Sequence, residues 1–187
     1  WCRTMRPVKR PSRAGLRLAL LVLPTLLLSH ELIYLLAHGS GAGYERAMLE
    51  GGHGRYWTTF VLIVGVLSAA ITGVVAVQLH RLHAQARALR GSGVLPEGRA
   101  RDLVRWTLAS GWRVAFAVTA AFLFQETAER GASSGGPLAA VTGEHGIALP
   151  VILVVSMLVA FVAALVRWRR HLLLARMRAA RTCTPRI

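Results

Sequence analysis

Residues 16–37 read LRLALLVLPTLLLSHELIYLLA and decide the fold, because they form an apolar run of membrane length. About 20 such residues, each rising ~1.5 Å along an α-helix, cross the ~30 Å hydrocarbon core of a bilayer. Three more apolar runs of similar length follow at 57–79, 106–124 and 147–166. The sequence therefore predicts an all-α membrane protein with four transmembrane helices.

The composition agrees with a membrane protein whose charges are confined to the segments between the spans. Of the 187 residues, 54% are apolar, the mean hydropathy is +0.47 and the net charge is +15. Nineteen of the 23 lysines and arginines, counting Arg17 at the start of the first run, lie at that end of the first run, between the second and third runs, or after the fourth. The positive-inside rule then predicts that both termini are cytoplasmic and that the loops 39–56 and 127–146 face outward. We expect a location in the cell inner (plasma) membrane. We expect no nucleic-acid binding, because the basic residues lie between the spans and not on one surface of a soluble domain.

The two halves of the chain resemble each other. In each half an apolar run ends in a polar pair, His30-Glu31 or Gln125-Glu126, and a G-x-H-G turn follows, around His53 or His145. This repeat predicts two parallel-related helical hairpins. The predicted segments are a basic cytoplasmic N-terminal segment at 1–15, hairpin 1 at 16–80, a cytoplasmic linker at 81–104, hairpin 2 at 105–167 and a basic amphipathic cytoplasmic tail at 168–187.

Three smaller features add detail to this architecture. A short helix is predicted at 44–50, between glycine-rich segments. The tail at 168–187 alternates arginines with leucines, which favours contact with anionic cytoplasmic lipid. Small residues recur every four positions in the second and fourth spans, and we expect these two stripes to pack against each other. They are Gly65, Ala69 and Gly73 in the second span and Ser156, Ala160 and Ala164 in the fourth.

Polar and titratable side chains form one stripe near the outer end of the first span. On a helix, His30, Glu31, Tyr34 and His38 fall within one arc, and Gln125, Glu126 and Glu129 repeat part of that pattern on the third span. A carboxylate at the centre of a span costs ~2.5–3.5 kcal/mol, so acids there usually face a protein interior or a watery cavity. Imidazole and carboxylate groups together suit a divalent transition metal such as zinc, copper or iron. The candidate metal ligands are His30, Glu31, His38, His53, Glu126, Glu129 and His145.

The same stripe has a structural interpretation, in which it forms hydrogen bonds between the hairpins. Enzyme classes receive little support, and we assign no catalytic residue. Tyr34 stands where a zinc protease of the H-E-x-x-H type has its second histidine, which excludes that class. Ser29 beside His30 leaves an intramembrane hydrolase open. A haem held by His53 and His145 is disfavoured because Gln125 breaks the symmetry of the repeat, and a proton pathway lacks acids in the inner half of the second span.

The segments HELIYLLAH at 30–38, GGHG at 51–54 and FQETAE at 124–129 resemble the small four-helix integral membrane proteins of unknown function found in GC-rich bacteria. This resemblance covers the spans, and it implies one compact bundle without implying an activity or a ligand. Two functional hypotheses therefore stand side by side. In the first, an outward-facing pocket binds a divalent transition metal and hands it to a partner. In the second, the chain is a non-catalytic scaffold or assembly subunit that contacts the lipid bilayer and a membrane-protein partner or a second copy.

Overall fold

The structure is a computed structural model that describes residues 13–50, 54–88, 100–130 and 146–182. These residues form five α-helices, and they contain no strand. The helices are α1 (Arg13–His38), α2 (Ala42–Glu50), α3 (Gly54–Ala88), α4 (Ala100–Arg130) and α5 (Ala148–Thr182).

Four of the helices are long and apolar enough to cross a membrane, which confirms the predicted number of spans. The spans are Leu18–His38 in α1, Trp57–Arg87 in α3, Ala100–Ala128 in α4 and Ala148–Arg178 in α5. Helix α3 continues through Ala88 and helix α4 begins at Ala100, so helix enters the predicted linker at 81–104 from both sides. The spans in α3, α4 and α5 are therefore longer than the corresponding apolar runs of the sequence.

The predicted short helix at 44–50 is confirmed as α2, and two glycines set the turn that leads into it. Gly39 and Gly41 have φ angles of 72° and 85°, a backbone conformation that residues other than glycine rarely adopt. The amide of Gly39 donates to the carbonyl of Leu35 at 2.9 Å and so closes the last turn of α1. This tight reversal returns α2 towards the end of α1, where Tyr44 contacts Glu31.

The core lies where α1, α4 and α5 meet. Ile33 of α1, Phe122 and Val118 of α4, and Ile152 of α5 are almost completely buried in one cluster. The most extensive packing is between α4 and α5, and α1 packs against both of them. A fully buried aliphatic or aromatic side chain makes many dispersion contacts, and close packing of this kind drives helix association in lipid.

Helix α3 stands largely apart from this core. Only 6% of its apolar window is buried, against 28% for α4 and α5 and 33% for α1. Trp57 and Val64 in its first turns pack with Leu27 of α1, and α3 also packs against α5. Most of the apolar surface of α3 is consequently left to lipid or to another protein.

The prediction that the small-residue stripes of α3 and α5 pack against each other is wrong. A methyl group added at Gly65 or at Gly73 would meet no atom within 4 Å, so the stripe on α3 has no close neighbour in the described chain. The stripe on α5 is instead buried, with Ala160 fully enclosed, and it faces Gly111 of α4. Gly111 supplies the small partner that allows α4 and α5 to approach closely.

We predict that Gly111→Leu lowers the thermal stability of the detergent-solubilised protein. A Cβ at this position would overlap Sδ of Met157 and lie 3.5 Å from Cβ of Ala160. Overpacking of this kind costs ~1–3 kcal/mol. The matched control is Gly65→Leu, at a helical glycine with open space around it, which should leave the melting temperature of the monomeric fraction unchanged. Equal shifts in the two variants would contradict the packing described above.

Candidate functional site

The polar stripe of α1 divides into two clusters, each built around a different carboxylate. The first, termed the enclosed cluster, consists of His30 and Tyr34 of α1 with Glu126 of α4. The second, termed the edge cluster, consists of Glu31 of α1 with Tyr44 of α2 and Trp57 of α3. Because His30 and Glu31 are adjacent on one helix, the two clusters point in directions about 100° apart.

The enclosed cluster joins α1 to α4. His30, Tyr34 and Glu126 are at most 2% exposed. The Tyr34 hydroxyl donates to Oε1 of Glu126 at 3.4 Å, and Nε2 of His30 lies 3.8 Å from the same oxygen. The first distance is at the long limit of a hydrogen bond, and the second lies beyond it. The cluster therefore gives Glu126 polar neighbours, and the hydrogen bond from Tyr34 to Glu126 is weak.

Aromatic rings hold the imidazole of His30 in place. Its ring stacks on Tyr34, with centroids 4.6 Å apart and planes inclined by 17°. Trp57 covers it at a centroid distance of 4.2 Å, and Phe122 presents an edge at 6.3 Å. Ring pairs at such separations contribute ~0.5–1.5 kcal/mol each beyond the burial of their surface. The His30 side chain is thus packed among aromatic rings from α1, α3 and α4.

The edge cluster contains two hydrogen bonds to one carboxylate. Nε1 of Trp57 donates to Oε1 of Glu31 at 2.7 Å, and the hydroxyl of Tyr44 donates to Oε2. Burial raises the pKa of Tyr44 above its usual range, and the hydrogen bond to Glu31 and the negative charge there raise it further. Tyr44 therefore stays a neutral donor at physiological pH. Two donors from two different helices meet the carboxylate of one residue, and they replace part of its lost hydration.

The structure brings together only part of the predicted ligand set. Of the seven candidates, His30 and Glu126 are neighbours, whereas the Glu31 carboxylate is bonded to the indole and phenol groups of the edge cluster. His38 is partly buried, with its ring 5.7 Å from that of Tyr34.

The remaining candidates are not positioned by the structure. Glu129 belongs to α4, but its side chain lies outside the described part, and so do both His53 and His145. Across 13–50, 54–88, 100–130 and 146–182, no group of three or more histidine, cysteine, aspartate or glutamate side chains could hold a metal ion.

Neither donor of the edge cluster was predicted from the sequence. Trp57 is the first residue of the α3 span and Tyr44 lies in the short helix α2, so neither shares a helical face with Glu31. A signal was nevertheless present, because tyrosine and tryptophan commonly place an apolar ring in the protein and a polar tip near a membrane interface. Tyrosine and tryptophan side chains near the end of a span are therefore candidate hydrogen-bond donors to a carboxylate within that span.

The helices and their polar contacts together define the class of the molecule. Four long apolar helices, held together by an aliphatic core and two polar clusters, indicate a multi-pass helical membrane protein. No known protein family, characterised protein or solved structure matches this chain.

We predict that Glu31 and Trp57 are energetically coupled. In a double-mutant cycle of Glu31→Gln and Trp57→Phe, measured by thermal unfolding in detergent, the second change should cost less once the first is present. Hydrogen-bonded neighbours show coupling of ~0.5–3 kcal/mol. The control pairs Glu31→Gln with Trp112→Phe, because Trp112 is 61% exposed on α4. Additive effects in the first cycle would contradict the edge cluster as a stabilising contact.

Proposed function

We propose that this protein is a non-catalytic scaffold or assembly subunit of a membrane complex, in which the polar stripe of α1 joins the helices. The observation that carries the proposal is the bonding of Glu31, whose two oxygens accept from Trp57 of α3 and Tyr44 of α2. A carboxylate used in this way acts between helices of its own chain. Glu126, which accepts from Tyr34, extends the same role to α1 and α4.

The energetic balance supports a role in specificity more than one in raw stability. Hydrogen bonds between membrane helices contribute ~0.6 kcal/mol on average, up to ~1.7, which is less than the ~2.5–3.5 kcal/mol cost of a carboxylate at the centre of a span. In an arrangement with α3 elsewhere, the Glu31 carboxylate would lose the hydrogen bond from the Trp57 indole while surrounded by lipid. The polar contacts therefore select one arrangement of the helices over alternatives with similar apolar packing.

An assembly role is supported by the surface of α3. Side chains such as Leu62 and Val66 are more than half exposed, and Gly65 and Gly73 have open space around them. A small-xxx-small stripe allows another helix to approach the backbone closely. We propose that a transmembrane helix of a partner protein packs on this stripe.

The finer topology belongs to the same proposal. Two parallel-related hairpins with both termini cytoplasmic, in the cell inner membrane, are supported by the basic residues near the start of α4 and the end of α5. At this end Arg167 lies 4.3 Å from the ring centroid of Trp106, and the ring of His171 lies 5.5 Å from it. Arginines and tryptophans of this kind are typical of the cytoplasmic interface. The arginine-rich end of α5 would then contact anionic lipid.

Metal handling is the second candidate function, and one distance favours it. Nε2 of His30 and Oε1 of Glu126 are 3.8 Å apart, close enough to share an ion after a small movement, since such ligands bind at ~2.0–2.2 Å. The further ligands predicted for zinc, copper or iron, His53 and His145, lie outside the described residues. The aromatic packing around His30 favours the scaffold over this candidate, because an imidazole held between rings has less freedom to reorient.

We predict that the chain extracted from native membranes in mild detergent migrates on a native gel as a complex well above its 20.3 kDa. Ala69→Trp should reduce the assembled fraction by steric block of the α3 stripe while leaving the melting temperature of the free chain unchanged. The matched control is Ala120→Trp, at an exposed alanine on α4. Migration of the wild-type chain as a monomer would refute the assembly role.

A metal titration separates the two candidate functions. With zinc, copper(II) or iron(II) added to the purified protein, we expect metal content at background in the wild type, and lower thermal stability in Glu31→Gln. Stoichiometric binding that is lost in His30→Ala and Glu126→Gln would establish the metal site instead. His53→Ala and His145→Ala test the remaining predicted ligands in the same assay.

A further inference from the structure

A cleft of about 540 Å³ opens between α1 and α5, beside the edge cluster. This volume lies within the ~300–1,000 Å³ typical of ligand sites. Its walls are aliphatic and include Leu28 and Leu32 of α1 and Val155 and Leu158 of α5, whereas Glu31 and Tyr44 are its titratable groups. An apolar cleft with one carboxylate is suited to an amphiphilic molecule.

The polar groups of the cleft lie in its outer part, and its aliphatic lining extends deeper. Ser40 and Tyr44 lie at the turn between α1 and α2, and Glu31, which Tyr44 contacts, lies ~10 Å of helix rise inside the end of α1. Leu158 is ten residues past the start of α5, so it lies ~15 Å of helix rise from that end, and Leu28 is similarly distant from the end of α1. A phospholipid has the same order, with its head at the interface and its acyl chains pointing to the middle of the bilayer.

The hydrogen bonding of Glu31 determines the chemistry of the head group. Two donors of the edge cluster, Trp57 Nε1 and the Tyr44 hydroxyl, point at the carboxylate. The carboxylate oxygens keep further acceptor capacity, because each has two lone pairs. A ligand therefore has to supply a donor, and a cationic donor makes the strongest pair with a carboxylate. A ligand whose head group only accepts hydrogen bonds, such as a carbonyl, would lack a donor here, because the Trp57 and Tyr44 donors already bond to Glu31.

We propose that this cleft binds a phospholipid whose head group carries a primary ammonium, with the ammonium donating to Glu31 and an acyl chain lying along α1 and α5. Charge complementarity selects the ammonium, and its N–H groups distinguish it from a quaternary head group, which has no hydrogen to donate. The site is separate from the enclosed cluster, because the cleft is lined by α1, α2 and α5 and not by Glu126 of α4.

The test uses the full chain reconstituted in vesicles of equal parts phosphatidylethanolamine and phosphatidylcholine with identical acyl chains. After extraction in mild detergent, native mass spectrometry counts the lipids that remain bound. We expect roughly fivefold enrichment of phosphatidylethanolamine, in line with a partly exposed charge-assisted hydrogen bond. Glu31→Gln should reduce the ratio to about one, because the amide has no charge to attract the ammonium.

A second variant keeps the proposal testable if Glu31→Gln fails to fold. Leu158→Trp narrows the cleft at a side chain that is 60% exposed, and it should reduce retention of both lipids. The matched control is Leu62→Trp on α3, where the side chain is 66% exposed and does not line the cleft. Equal retention of the two lipids by the wild type, or enrichment that persists in Glu31→Gln, would overturn the proposal. A dimer of the chain without bound phospholipid would overturn it as well.

Discussion

Solvation of Glu31 is the constraint on which the arrangement of this bundle depends. A carboxylate within a membrane span has no bulk water to accept hydrogen bonds from, so its protein has to supply the donors. The donors here come from Trp57 at the start of α3 and from Tyr44 in α2, both outside the helix that carries the acid. The polar contact thereby adds to the smaller apolar cluster of Leu27, Trp57 and Val64 in holding α2 and α3 against α1. In a helix as exposed as α3, one such anchor at the first turn defines where the span enters the bundle.

The sequence was sufficient for the elements and insufficient for their pairing. Length and hydropathy of the runs predicted four spans, and glycine-rich segments on both sides of 44–50 predicted α2, because these features depend on local physics. Hairpin 2 at 105–167 predicted that α4 and α5 are neighbours, but it did not predict which small residues would meet between them. Small-residue stripes occur on α3 and α5 alike, and the sequence carries no sign of which one Gly111 on α4 would meet. In lipid, where apolar surfaces are equally solvated everywhere, the fit between particular side chains decides such pairings.

The candidate site illustrates the same limit at the level of single residues. Helical periodicity correctly placed His30 and Tyr34 on one face, and that face meets Glu126. Periodicity also grouped Glu31 with them, since it lies within the same broad arc, but a separation of one residue turns its side chain towards α2 and α3. The stripe therefore serves two interfaces. Spacing along a helix specifies which residues share a face, and it does not specify where one interface ends and the next begins.

The two carboxylates of the bundle differ in what they can still do. Glu126 is 1% exposed, with Tyr34 and His30 as neighbours, so its contacts lie between α1 and α4. The carboxylate of Glu31 accepts hydrogen bonds from two donors of its own chain. It also lines the aliphatic cleft between α1 and α5. A carboxylate that is already oriented needs no rearrangement to meet a ligand, which lowers the entropic cost of binding. The internal hydrogen bonds of the edge cluster are therefore compatible with a second role for Glu31, because they hold its charge at the mouth of the cleft.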